Sequence, residues 1–109
     1  MQFCRLYTGA DGKSHFEDLD QKEGSKQFLS DVPATALVFK NDVLRDDLHA
    51  WHNAPRRQWC FTLSGSVEIG LGDGTKKTFG PGDVFLAEDI TGQGHTAKPN
   101  NWVRAFVHV

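Results

Sequence analysis

Short segments in which apolar and polar residues alternate, separated by clusters of glycine, proline, asparagine and aspartate, constrain the fold of this chain most strongly. Alternation places every second side chain on the same face of a strand, and no helical pattern persists for three turns. One face of the clearest segment carries Trp59, Phe61 and Leu63, and the other carries Gln58, Cys60 and Thr62. About eight such segments predict an all-β fold, an antiparallel double sheet that closes as a jelly roll.

The pattern also predicts where individual strands lie. Outside the segment that starts at Arg57, strands are expected at Phe3–Tyr7, Thr35–Lys40, Val84–Glu88 and Trp102–Val109, with His95 opening a further one.

Glycine-rich stretches predict the turns. Gly72-Asp73-Gly74 supplies the residues of positive φ that a hairpin needs, and turns are also expected at Ser64-Gly65-Ser66 and at 79–83. The polar stretch Ser14–Phe28 is expected to be irregular, with one helical turn near Phe16–Leu19.

Length and composition restrict the function classes. With 109 residues the chain is expected to form one domain, and its net charge of −2 gives no basic surface for nucleic acid. No apolar run approaches the roughly 20 residues that a membrane helix needs, and Met1 to Arg5 do not resemble the start of a signal peptide. The expected address is cytoplasmic, without nucleic-acid or membrane partners.

Residues 46–100 resemble the two motifs of the cupin superfamily. The first motif reads G-x5-H-x-H-x3/4-E-x6-G, and its final glycine corresponds to Gly65. Its glutamate position then falls on Gln58, its second histidine on Ala54 and its first histidine on His52, while Asp46 replaces its opening glycine.

The second cupin motif reads G-x5-P-x-G-x2-H-x3-N. Gly82 resembles its opening glycine, Glu88 stands at its proline, and His95 matches its histidine if the loop 89–94 is two residues longer than usual. The resemblance implies the antiparallel double-stranded β-helix of a small single-domain cupin, 1–109, in a subgroup without an assigned reaction.

The resemblance further implies a metal site inside the barrel. Cupins hold one divalent metal with these motif positions, which implies His52, Gln58 and His95 as ligands here, and His49 as a possible fourth. The metal would be iron, manganese, nickel, copper or zinc. In the alternative interpretation, His52 and His95 are hydrogen-bonded inside a polar barrel without a metal, and His49 lies in an exposed loop.

Further side chains are expected to contact a ligand. Arg56 and Cys60 share the Gln58 face of their strand, so Arg56 would offer a cation at the pocket mouth and Cys60 would leave room for a small molecule. Glu88 or its neighbour Asp89 is the candidate general acid or base beside His95. Tight packing at Cys60 and a solvent-exposed Glu88 are the alternatives.

Three functions remain open at this point. A divalent-metal-dependent enzyme acting on a small oxygenated metabolite is the first, a metal-independent isomerase or epimerase using His95 or His52 with Glu88 is the second, and a non-catalytic metabolite-binding module is the third. No nucleotide cofactor is expected. The apolar row Trp59, Phe61 and Leu63 predicts a homodimer, since such a face is often buried against a second copy.

Overall fold

The computed structural model describes residues 1–19, 31–41 and 50–109. Within these ranges the chain forms strands and no helix, so the all-β prediction is confirmed, and no helix of the described ranges is long and apolar enough to cross a membrane. The strands are β1 Phe3–Thr8, β2 Ser14–Asp18, β3 Ala36–Asn41, β4 Gln58–Gly70, β5 Lys76–Phe79, β6 Val84–Glu88 and β7 Thr96–His108.

These strands form one mixed sheet. Its order is β2-β1-β6-β4-β7-β3, with β5 paired to β4. The pairing of β1 with β6 is parallel, whereas the other pairings are antiparallel, so the sheet is not antiparallel throughout as predicted. No hairpin joins β1 to β6, so the chain is free to bring them together in the same direction.

The polar stretch predicted to be irregular, with a helical turn near Phe16–Leu19, begins as a strand from Ser14 to Asp18, and its residues 20–28 lie outside the described ranges. β2 pairs antiparallel with β1, and a tight turn joins them, in which the Gly9 amide donates to the Lys13 carbonyl at 2.8 Å. Ser14 and Leu19 are fully buried and Phe16 packs against the core. Sheet pairing and burial therefore decide the conformation of this stretch over its polar local sequence.

β4 and β7 are long strands that bend instead of ending. The predicted turn Ser64-Gly65-Ser66 lies within β4, where the pairing with β7 shifts register. Gly65 has a φ of 68°, and a Cβ there would lie 2.1 Å from the carbonyl oxygen of Asn101. Glycine permits both the backbone conformation and the close approach, so the two strands continue through the bend.

Other local predictions agree with the structure. Val84–Glu88 is a strand with the predicted bounds, and the predicted strand Thr35–Lys40 is shifted by one residue. At the hairpin, the Leu71 amide donates to the Thr75 carbonyl at 2.9 Å and joins β4 to β5. The strand predicted to open at His95 begins one residue later, at Thr96, and continues through the strand predicted at Trp102–Val109 as far as His108, so the two are one strand, β7.

The apolar residues divide between a main core and an outer surface. Trp59 is buried within the chain, where its ring stacks on Phe3 at 5.5 Å and packs with Leu86. Trp59 therefore needs no second copy for its burial. The remaining exposed apolar side chains on the outer face of β3 and β4 are here named the outer apolar patch: Leu37, Phe39, Phe61 and Leu63.

Candidate functional site

A cavity of about 580 Å³ lies between the bent strands, and part of its wall is apolar. This volume is typical of sites for small organic molecules. The polar side chains of its wall are Lys40, His52, Asn53, Arg56, Gln58, His95, Arg104 and His108. Its apolar wall includes Ile69, Phe85, Ala87, Trp102 and Phe106.

The backbone brings two predicted histidines together. His52 and His95 form an antiparallel bridge, in which each amide donates to the other's carbonyl, at 3.0 and 2.8 Å. Gly94 allows this contact, since its φ is 79° and a Cβ there would lie 2.1 Å from the His52 carbonyl oxygen. The two imidazole rings meet edge to face with centroids 4.5 Å apart.

Both imidazoles are anchored through Nδ1. His95 Nδ1 lies 2.5 Å from Asp89 Oδ2, and His52 Nδ1 lies 2.8 Å from the Ala50 carbonyl oxygen. Because a carbonyl and an ionised carboxylate only accept, each Nδ1 is the N–H donor in the neutral ring. The lone pair then lies on Nε2 of both rings, and Nε2 is the ring nitrogen left for the cavity.

Asp89 stands behind His95 rather than in the cavity wall. Its side chain is fully buried, and Oδ2 also accepts a hydrogen bond of 2.8 Å from the hydroxyl of Ser14. Oδ1 has no hydrogen-bond partner in the part of the chain that the structure describes. Ser14, Asp89 and His95 form a buried polar chain that fixes the orientation of the imidazole.

Glu88 points the other way. Ala87 lines the cavity, and Glu88, the next residue of β6, lies on the opposite face. Its carboxylate accepts from Arg5 Nε at 2.9 Å and from Arg57 Nε at 2.6 Å. The structure therefore brings Asp89, and not Glu88, together with His95, since successive side chains of a strand alternate between faces.

The candidate metal ligands are brought together in part. His52, Gln58 and His95 all line the cavity, whereas His49 lies outside the described residues. Within those ranges, no three His, Cys, Asp or Glu side chains are grouped to hold a metal ion. The donors available there are two imidazole nitrogens and the neutral amide oxygen of Gln58.

The predicted ligand-binding residues of β4 and the preceding loop separate. Arg56 is exposed and lines the cavity, with Nη1 3.4 Å from His108 Nδ1. Cys60 is fully buried in the core and does not belong to the cavity wall. Burial raises the pKa of the Cys60 thiol far above its ordinary value, against the opposing charge of Arg104.

Two cationic residues of the wall were not predicted as site residues. Arg104 on β7 is 2% exposed, and its guanidinium lies over the Trp102 ring at 4.1 Å. Lys40 on β3 is the register partner of Arg104. Arg104 could be identified from the sequence, because it lies two residues from both Trp102 and Phe106 in a strand and therefore shares their face.

Asn53 holds the loop 89–94, which precedes His95. Its Nδ2 lies 3.2, 2.9 and 3.1 Å from the carbonyl oxygens of Asp89, Thr91 and Gly92. The Gln93 amide also donates to the Gly12 carbonyl at 2.9 Å. The loop is therefore tied to two other segments.

Comparison of the chain with protein-family models, with curated proteins and with solved structures finds no match. The functional argument accordingly depends on the cavity and on the chemistry of its wall.

Proposed function

We propose that the chain is a cupin-like enzyme that transfers a proton on a small oxygenated metabolite bound in the cavity, with His95 as the general base. The observation that carries the proposal is the 2.5 Å contact between Nδ1 of His95, which lines the cavity, and Oδ2 of the buried Asp89. A base that is oriented by a buried carboxylate is a recurrent arrangement in acid–base catalysis.

The proposed step is proton abstraction next to a carbonyl group. His95 Nε2 takes the proton, the C–H bond breaks, and its electron pair moves into an enolate. The imidazolium that forms is stabilised by Asp89, whose carboxylate is bonded to Nδ1. Return of the proton to the same carbon on its opposite face completes an epimerisation, and its return to the enolate oxygen gives the enol tautomer. A positioned base of this kind contributes about 10²- to 10⁴-fold to rate.

The jelly-roll architecture is part of the same proposal. The bends in β4 and β7 let each strand contribute to the cavity on both sides of its bend, at Gln58 and Ile69 in β4 and at Ala97 and Arg104 in β7. Strands that fold around a ligand in this way are characteristic of double-sheet jelly rolls. The mixed sheet is compatible with that architecture.

Solvent exchange tests the function directly. Small 2-oxo acids and 2-oxo sugars are incubated with the protein in D₂O with EDTA, and loss of the C–H signal next to the carbonyl is followed by proton NMR. We expect exchange that His95→Ala abolishes while the circular dichroism spectrum is retained. The matched control is His15→Ala, which removes an exposed imidazole bonded to Asp11. Exchange that is equal in the wild type and in His95→Ala on every compound contradicts the proposal.

A metal-dependent enzyme is the second candidate. It is favoured by the Nδ1 contacts of His52 and His95, since metal-ligating histidines usually donate their other ring N–H to a carbonyl or carboxylate. His52, His95 and Gln58 would hold the ion. A bound divalent metal would polarise a substrate oxygen.

Metal analysis separates the two candidates. Native protein is purified without chelator and assayed for iron, manganese, nickel, copper and zinc, with Ala54→His as a variant that adds an imidazole to the cavity wall. One metal per chain, lost in His52→Ala and His95→Ala, supports the metal enzyme. Metal-free protein with EDTA-resistant exchange supports the proton-transfer enzyme, and a small molecule recovered unchanged supports a binding module.

A further inference from the structure

We infer that the substrate of this cavity is a 2-hydroxycarbonyl compound, in which the carbon next to the carbonyl group carries both a hydrogen and a hydroxyl group. This inference rests on the proposed function and names its substrate class. Three polar side chains of the wall carry it, those of His52, Gln58 and His95. Each has a hydrogen-bonding group without a partner in the part of the chain that the structure describes.

Gln58 offers the cavity a buried amide. The residue is 7% exposed, and its register partners Ala87 of β6 and His108 of β7 also line the cavity. Its side-chain amide makes no hydrogen bond to another described residue. Because an unpaired buried amide is costly, its N–H₂ group is expected to donate to a ligand oxygen. A carbonyl oxygen accepts such a bond, and accepts it more strongly once it carries the charge of an enolate.

The two imidazoles offer two acceptors side by side. Nδ1 of each ring donates to a fixed acceptor, so Nε2 of His52 and Nε2 of His95 each carry a lone pair. The ring centroids are 4.5 Å apart, so a ligand cannot lie between the rings, and neighbouring atoms of the ligand meet both of them. The ligand is therefore expected to present two protons on adjacent atoms. A carbon that bears both a hydrogen and a hydroxyl group does so, whereas a simple ketone leaves one Nε2 unpaired.

The environments of the two rings assign the two protons. His95 is 6% exposed and is bonded through Nδ1 to the buried carboxylate of Asp89. His52 is bonded through Nδ1 to a neutral group, the carbonyl of Ala50. Removing a proton from carbon places a full positive charge on the ring that takes it, and a carboxylate stabilises this charge better than a carbonyl does. His95 is therefore assigned to the C–H group and His52 to the hydroxyl group.

On a substrate of this class the carbonyl group can move by one carbon. His95 takes the C–H proton, the electron pair of that bond forms a carbon–carbon double bond, and the carbonyl oxygen becomes an oxyanion that the Gln58 amide stabilises. His52 accepts the hydroxyl proton and passes it to this oxyanion, which leaves the negative charge on the other oxygen. His95 then returns its proton to the former carbonyl carbon, the double-bond pair forms the new C–H bond, and the second oxyanion becomes a carbonyl. No other reactant is consumed.

The apolar wall limits the remainder of the substrate. Phe85 and Phe106 give the cavity an aromatic side, and Ile69 and Ala97 extend it. Such a wall favours a hydrocarbon substituent beside the hydroxycarbonyl group, because apolar area is removed from water on binding. The probe 1-hydroxy-1-phenyl-2-propanone combines the two features.

Two analogues of this probe change only its hydroxyl group, 1-methoxy-1-phenyl-2-propanone and 1-phenyl-2-propanone. In NMR titrations we expect the hydroxy ketone to bind about tenfold more tightly than either analogue, since an acceptor left unpaired in a buried site costs about that factor. With EDTA present, we also expect its conversion to 2-hydroxy-1-phenyl-1-propanone above the rate without protein. A hydroxy ketone that binds no more tightly than the analogues, or does not bind, overturns the inference. Loss of the C–H signal in D₂O without conversion overturns the carbonyl shift.

His52→Asn gives a more specific readout. Its side-chain N–H₂ group can still donate to the Ala50 carbonyl, but the variant has no acceptor in place of Nε2. We expect it to lose the preference for the hydroxy ketone over the methoxy ketone while retaining the circular dichroism spectrum. The matched control is His15→Asn, which alters an imidazole outside this cavity and is expected to change neither. An unchanged preference in His52→Asn overturns the inference.

Gln58→Leu separates binding from a structural role. Because its amide has no partner among residues 1–19, 31–41 and 50–109, an apolar side chain of similar size is not expected to lower the urea midpoint. Affinity for the hydroxy ketone is expected to fall about tenfold. The matched control is Gln93→Leu, at an exposed residue that does not line the cavity, which is expected to change neither. A Gln58→Leu protein that loses stability and keeps its affinity overturns the assignment of Gln58.

The two proposals fail in different ways. His95→Ala is expected to retain the preference for the hydroxy ketone in binding while losing exchange and conversion. Exchange on all three ketones, bound with equal affinity, overturns the substrate class and leaves the proposed function supported. A wild-type protein that prefers the hydroxy ketone but catalyses no exchange on it contradicts the proposed function and supports a 2-hydroxycarbonyl compound as the ligand.

Discussion

Removing the carboxylate of Asp89 tests the link between packing and chemistry most directly. In Asp89→Ala, two buried donors lose their acceptor, the hydroxyl of Ser14 and Nδ1 of His95. Each unsatisfied buried donor costs about 1–3 kcal/mol, so the free energy of unfolding is expected to fall by about 2–6 kcal/mol. A domain of this size has only about 5–15 kcal/mol in total, so this variant is expected to be marginal.

Asp89→Asn separates stability from function. Both donors bond to the same oxygen, Oδ2, so an amide whose oxygen takes that position keeps both hydrogen bonds, and a smaller loss of stability is expected. The neutral amide carries no charge, so it no longer stabilises the imidazolium that forms when His95 takes a proton. Exchange is therefore expected to fall about tenfold while His95 keeps its proton on Nδ1, because a hydrogen bond to a charged group is stronger than a neutral one.

The assay combines urea denaturation with nitrogen-15 NMR of the histidine rings, which reports the tautomer directly. The matched control is Asp11→Asn, which alters another Asp–His contact, 2.9 Å between Asp11 Oδ1 and His15 Nε2, at an exposed site. Exposed pairs contribute little, so no measurable loss of stability is expected there. An Asp89→Ala protein as stable as the wild type, or an Asp89→Asn protein with Nδ1–H on His95 and unchanged exchange, would refute the reasoning.

Three further predictions concern other parts of the chain. Burial on its own raises the pKa of Asp83, but the hydrogen bonds donated by Gln2 and Gly80 outweigh it and hold that pKa below 3.8. The contribution of Asp83 to the free energy of unfolding is therefore present above about pH 3.8 and is lost as the pH falls through the pKa of the folded protein. In Asp83→Asn, the urea midpoint should accordingly depend less on pH between about pH 6 and about pH 3. The buried thiol of Cys60 has a raised pKa and should react with iodoacetamide only in denaturant; labelling of the native protein, read by mass spectrometry, would contradict its burial. Phe39→Glu, in the outer apolar patch, should convert the predicted homodimer into a monomer in sedimentation velocity, and a wild-type monomer would rule that dimer out.

Much of the fold follows from local signals. Alternation between Val67 and Leu71 and the glycines at 72 and 74 predict a hairpin, because the chain needs no distant information to form it. The strand Ser14–Asp18 was missed, since its polar residues become strand only when they pair with β1. The parallel contact of β1 with β6 is set by packing between segments about 80 residues apart, which no local pattern records.

The candidate site was predictable to a similar extent. His52 and His95 are indicated by the resemblance to the two cupin motifs, and the backbone bridge brings them together. The sequence does not distinguish Glu88 from Asp89 as the carboxylate beside His95, because the four residues before them are all apolar and do not indicate which face of the strand lines the cavity. Arg104 was overlooked because charged residues are usually exposed, although its strand placed it between two aromatic residues.

The bend at Gly65 and Asn101 has a consequence for how insertions and deletions act on this chain. In β4 the inward residues before the bend have even numbers, such as Gln58 and Thr62, whereas those after it have odd numbers, such as Val67 and Ile69. A single extra residue reverses the parity of a strand. The bend therefore changes which residues of the strand face inward, from even to odd numbers. Removing one residue from it would turn the inward side chains of one half of the strand outward. The side chains of one half of the cavity wall face the cavity only while the number of residues in this bend is unchanged.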